Sequence, residues 1–224
     1  MTKIHALALL ILAAVAVLVG GPAIAADLQS PPTEQQLIEI LRSGQPAEKA
    51  IACKQLAVVG SAAAVPELAK LLGDPQLSSW SRIALEAIPD KAADDALIAA
   101  VATVKGRQLV GVINSIGVRR SAAAIAPLAG VLRGEPGEAA AAAAVALGRI
   151  NGQAAKVLRE ALQSTADQKL RVAVAEGCIL CAERLAATGH ADEAAAIYDE
   201  VRKADVSPQR TREATRGAIL ARGG

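Results

Sequence analysis

The stretch Ser61-Ala62-Ala63-Ala64-Val65-Pro66-Glu67-Leu68 returns sixty residues later as Ser121-Ala122-Ala123-Ala124-Ile125-Ala126-Pro127-Leu128. Weaker copies in the same register lie between and beyond, which sets a period of about 30 residues. Ile38, Leu68, Ile98, Leu128 and Leu158 mark that period at five equally spaced positions. Each is followed three residues on by Leu41, Leu71, Val101, Val131 or Ala161. A unit this short cannot enclose a core of its own. Each copy must bury its apolar face against the next, so the chain is constrained to a stack of like units.

Within a unit the apolar spacing is helical. Ala64, Leu68, Leu71 and Leu72 fall on one face of a first helix. A break follows, at Gly73-Asp74-Pro75, Gly106 or Gly134-Glu135-Pro136-Gly137, and then a second helix: Ser79 to Ile88, Arg107 to Ile116, Glu138 to Ile150. Loops this short make the two helices antiparallel neighbours. Hydrophobic residues are 53% of the chain, yet there is no Phe, one Trp and one Tyr, so the apolar content is Ala, Leu, Val and Ile. Such a core suits closely packed helices and not a sandwich of aromatic-rich strands. The expected fold is all-α, a solenoid of about six antiparallel hairpins, with a frayed first hairpin around Leu37. Gly111, Gly117, Gly148 and Gly177 sit inside second helices, where Gly costs about 1 kcal/mol against Ala; close helix approach is the expected reason.

Residues Ala143 to Gly177 carry a more specific pattern. Ala146-Leu147-Gly148, then Leu158 and Leu162, then Leu170-Arg171 resemble the short HEAT-like repeats first named from phycobilisome lyases. Ser81-Arg82 and Gly106-Arg107 hold the equivalent of the Leu-Arg step in earlier units. The resemblance covers about residues 34–186 and implies a HEAT/armadillo-like superhelix whose second helices line the concave side. Trp80, Arg82, Arg107, Arg149 and Arg171 would then form a partner-binding ladder, in residue types that interface hot spots favour. Alternatively, the arginines bond loop acids such as Asp74 and Asp167 and hold the stack together. From Ala182 the register changes. Ala182, Leu185, Gly189, Glu193-Ala194 and Tyr198 resemble a tetratricopeptide half-repeat, and a basic last helix follows with Arg210, Arg212, Arg216 and Arg222. Residues 187–224 are read as a helical cap.

The N-terminus is read as an address. A short basic start, the apolar run Ala6 to Val19, a Gly20-Gly21-Pro22 break and Ala23-Ile24-Ala25 make a signal peptide over 1–25 and a linker over 26–33. An exported, bacterial envelope protein without a later membrane span is expected.

Catalytic motifs are missing from the sequence. Its two His residues are His5, in the signal segment, and His190, in a turn, too few for a triad or a zinc site. Cys178 and Cys181 form a C-x-x-C inside an apolar helix, where buried structural thiols outweigh a redox pair. Asp94-Asp95 is read as a solvated helix start. Lys plus Arg number 24 against 22 Asp plus Glu, without the basic stripe of a nucleic-acid binder. The expectation is a scaffold or adaptor for a protein partner, with no cofactor and no enzymatic activity. The alternatives are a lyase-like or accessory factor for a cofactor enzyme, suggested by the family resemblance, and a detached repeat module of a larger envelope enzyme.

Overall fold

The structure, a computed structural model, describes residues 31–134, 137–150 and 152–223. Residues 1–25, read from the sequence as a signal peptide, and residues 26–30 of the expected linker lie outside the described residues. Twelve α-helices and no strand occur among the described residues, and consecutive helices pack in pairs as six hairpins. They are α1 (Glu34–Ser43) with α2 (Pro46–Val59), α3 (Val65–Lys70) with α4 (Ser78–Ala87), and α5 (Lys91–Ala100) with α6 (Gly106–Arg119). There follow α7 (Ile125–Leu132) with α8 (Glu138–Ile150), α9 (Ala155–Ser164) with α10 (Gln168–Ala187), and α11 (Ala191–Lys203) with α12 (Pro208–Gly223).

Local chemistry sets the helix ends. Thr33 and Gln36 make a reciprocal capping box at α1: Thr33 Oγ1 accepts from the Gln36 amide, and Gln36 Oε1 from the Thr33 amide at 2.8 Å. Asp90 accepts from Ala92 N–H at 2.7 Å to start α5, and Asp167 from Leu170 N–H at 2.7 Å to start α10. The repeated Ser-Ala-Ala-Ala motif forms a single 3₁₀ turn, Ala62–Ala64 and Ala122–Ala124, that leads into α3 and α7. A third such turn, Gly152–Ala154, leads into α9. Positive φ is confined, among the described residues, to Gly106 and Gly189, which open turns beside α6 and α11, and to Arg120 at the end of α6.

The registered positions form the core. Leu68, Leu128 and Leu158 are fully buried and Ile38 nearly so. Of the positions three residues on, Leu41 and Leu71 are buried and Val101, Val131 and Ala161 half-buried; the third unit departs further, in that α5 buries Ala93, Leu97 and Ala100 and leaves Ile98 half-buried. That helix is turned by one residue, and the turn brings Asp94 onto Arg119 of α6. The first hairpin is not frayed at Leu37, which is fully buried.

Second helices α2, α4, α6, α8, α10 and α12 each pack on the next, forming one row. Glycine sets the spacing in its middle. A Cβ on Gly148 would lie 2.8 Å from Gly177 Cα, and one on Gly117 would lie 3.1 Å from Ala146 Cα. Backbones there approach to a distance that any side chain would block. Gly111 has a different neighbour, since a Cβ there would meet the Arg82 guanidinium, 2.7 Å from Nε.

Polar ties join successive hairpins. Arg42 of α1 donates to Glu67 of α3 at 3.0 Å, Arg159 of α9 pairs with Glu200 of α11, and Arg210 of α12 with Glu176 of α10. Arg119 makes the densest of these. Its Nε donates to Asp94 at 2.5 Å, Nη1 to the carbonyls of Leu85 and Ile88 at 2.7 and 2.6 Å, and Nη2 to the Asp90 carbonyl at 3.0 Å. The Leu85 and Ile88 carbonyls close the C-terminal end of α4, so one guanidinium satisfies a helix end that the next hairpin would otherwise leave unpaired. Asp94 is therefore an ion-paired group between the two helices of the third hairpin and not a solvated helix start; Asp95 pairs with Lys91 at 2.6 Å.

Candidate functional site

An internal second helix has its hairpin partner on one side and row neighbours on two others, so a single face remains free. Over the first three hairpins exposed apolar side chains stand on second helices, mixed with a few polar ones. On α4 the free face carries Trp80 (40% exposed), Ile83 (47%) and Ala87, at spacings that keep them on one side of the helix. On α6 it carries Arg107, Asn114 and Val118, the last 52% exposed. Ile51 and Val58 of α2, seven residues apart, are 59% and 85% exposed. On α8 the face holds Glu138, Ala142, Val145 and Arg149. Among the described residues, every large hydrophobic side chain that is exposed belongs to a second helix: Ile51, Val58 and Val59 on α2, Trp80 and Ile83 on α4, Val118 on α6, Ile219 and Leu220 on α12.

The five residues singled out from the sequence divide. Trp80, Arg107 and Arg149 lie exposed on the free face of the row, and neither arginine has a carboxylate partner among the described residues. Arg82 points sideways into α6, where Nη1 donates to Ser115 Oγ at 3.2 Å and to the Gly111 carbonyl at 3.3 Å. Ser115 in turn donates to Glu86 at 2.5 Å. Arg171 folds back over the start of α10, donating to the Thr165 carbonyl at 2.9 and 2.7 Å and pairing with Asp205 at 3.4 Å. Both thus tie elements together, though through carbonyls, Ser115 and Asp205 and not through Asp74 or Asp167, which cap helices and turns with their own carboxylates. Sequence reasoning missed Arg119 and Ser115. Their partners are mostly carbonyls and side chains about 30 residues away, and no local pattern announces them.

Reactive groups are few. Cys53, Cys178 and Cys181 are fully buried and none forms a disulfide. Burial raises the Cys53 and Cys181 thiols to about 11 and the Cys178 thiol further still. His190 is exposed before α11, its Nδ1 3.1 Å from Thr188 Oγ1. A surface cleft of 620 Å³ between α3 and α5 is lined by alanines, Gly73, Thr103, Lys70 and Lys105, with no carboxylate, Cys or His. No cluster of metal-ligating side chains occurs among the described residues, and none of their helices is long and apolar enough to cross a membrane.

The fold is an α-solenoid of helical hairpins. No protein-family model matches the chain, and neither does any curated protein. Three crystal structures of engineered proteins from the Northeast Structural Genomics Consortium are similar to it in backbone, with TM-scores of 0.48, 0.49 and 0.46 and identities of 17%, 17% and 19%. The matches cover 85%, 85% and 86% of this chain and 96%, 58% and 100% of theirs.

Proposed function

We propose that the chain is an exported, non-catalytic scaffold of the HEAT type that binds another protein along the free face of its second helices. One observation carries the reading: among the described residues, exposed large hydrophobics are confined to the second-helix row, and most of them fall on three consecutive members of it, α2, α4 and α6. A run of large apolar side chains left in water on successive helices of one row marks an interaction surface. The Gly148–Gly177 approach supports the HEAT reading, since it gives the Gly of the Ala-Leu-Gly motif a packing role. It also favours a concave second-helix side, because a stack bends toward the row whose elements lie closer together. Export rests on the N-terminal pattern of residues 1–25.

A photo-crosslinking side chain at Ile83, compared with one at Ala126 on α7, tests the proposal in the cell that makes the protein. Ile83 is expected to give a discrete adduct that Trp80→Ala removes without moving the melting curve. Equal adducts from both positions, or none from Ile83, would overturn it.

A further inference from the structure

The polar residues around the apolar strip have a sign. Lys54 lies between Ile51 and Val58 on the exposed side of α2, Arg107 opens α6, and Arg149 stands near the end of α8 with its stem over Gly117. None of the three has a carboxylate partner among the described residues. The same four helices hold six Lys and Arg against three Glu: Glu48, which caps its own helix through the Gln45 amide at 2.8 Å, Glu86, which accepts from Ser115, and Glu138. Glu138 alone stands free on that face. Toward the C-terminus the pattern changes, because Glu176 is paired with Arg210 and Glu183 is exposed. The cationic surplus therefore coincides with the apolar strip.

From this complementarity we infer that the partner segment is an acidic amphipathic helix, with aliphatic or aromatic anchors against Trp80, Ile83 and Val118 and carboxylates toward Lys54, Arg107 and Arg149. The inference rests on the scaffold reading and adds the chemistry of the occupant. From Lys54 on α2 to Arg149 on α8 the face crosses four packed helices, three interaxial steps of 8–10 Å, so a partner that reaches both extends over about 24–30 Å, the length of a helix of roughly 16–20 residues. Aliphatic anchors gain affinity from the strip by burial, and the flanking charges set orientation and exclude a basic competitor.

Trp80 is the chain's single tryptophan, so its emission reports occupancy of the strip without a label. The probes are Trp-free synthetic peptides of about 18 residues. One carries a leucine face flanked by glutamates, a twin has lysine for every glutamate, and a third keeps the glutamates with serine for leucine. The full chain is expected to show a saturable blue shift with the first peptide alone, weakened by salt. In the triple variant Lys54→Glu, Arg107→Glu, Arg149→Glu the glutamate peptide is expected to bind on the order of tenfold more weakly and the lysine twin to bind instead. Arg107→Glu alone, a single exposed change, should move both affinities the same way by less. Equal binding of the two charged peptides to the unaltered chain, no shift with either, or an unchanged triple variant would overturn the inference. So would an equal shift with anionic phosphatidylglycerol vesicles, which would assign the face to lipid. Ile83 adducts in cells together with failure of these peptides would remove the inference and leave the scaffold reading intact. Peptide binding without Ile83 adducts would overturn the scaffold reading, and with it the inferred partner, while showing that the face accepts an acidic amphipathic helix.

Discussion

Replacing Gly148 by Ala adds one methyl group at the point where α8 and α10 touch backbone to backbone. That Cβ would sit 2.8 Å from Gly177 Cα and closer still to the Gly177 carbonyl oxygen. Ordinary contact begins at 3.4 Å, so the two helices must part by about 0.6 Å or more, against interiors packed as densely as organic crystals. No flexible side chain can yield in its place, so the overpacking cost belongs at the upper end of the usual range, about 3 kcal/mol. Alanine offsets roughly 1 kcal/mol of this through its better helix propensity, leaving a net loss of about 2 kcal/mol. For a domain of this size that lowers the melting temperature by about 4–8 °C. Gly130 supplies the control. It is exposed within α7, and a Cβ there meets nothing within 4 Å. Gly130→Ala should therefore stabilise by about 0.5–1 kcal/mol. Urea melts followed by far-UV circular dichroism measure both changes. A shift of the same sign in the two variants would refute the backbone-contact account of the row.

Arg119→Met should cost about 3 kcal/mol in the same melts, because it strands Asp94 and the carbonyls of Leu85 and Ile88 at once; a change below about 1 kcal/mol would show the guanidinium to be dispensable. Stability should also fall with alkaline pH. Cys53 and Cys181 hold their protons to about 11 in the folded chain against an ordinary 9.0, so their contribution is complete below pH 9 and is lost as pH rises through 11. Tyr198, raised by burial from 10.0 to about 12, adds the same sign at higher pH. Replacing the three cysteines with alanine should flatten the decline above pH 9, and an unchanged pH profile would refute the assignment.

The candidate face was only partly legible in advance. Trp80, Arg107 and Arg149 were visible as large polar or aromatic residues on second helices, and they do lie in the open. Arg82 and Arg171 looked equivalent to them in sequence. Which way a helix residue points depends on how the helix is rotated against its neighbours, and that rotation placed Arg82 on Ser115 and Arg171 on Thr165. The apolar half of the surface was harder to see. Ile51, Val58, Ile83 and Val118 are of the same residue types as the core, and an alanine-rich helix does not distinguish its inner from its outer aliphatic residues by composition.

By itself the sequence determined the repeat. Leu68, Leu128 and Leu158 recur at one spacing because each unit must bury the same face against the next, and a helical period needs no tertiary information to be read. The interior glycines were legible for the same reason, since an unfavourable residue at Gly148 or Gly177 is retained only where backbones meet. Tertiary structure alone decided the rotation of each helix: the one-residue turn of α5 that buries Leu97 in place of Ile98, the Asp94–Arg119 pair that accompanies it, and the free face that leaves Trp80 in water. These follow from contacts between helices distant in sequence, within a hairpin and between hairpins, where the packing of several side chains is settled together and no single stretch of sequence carries the answer.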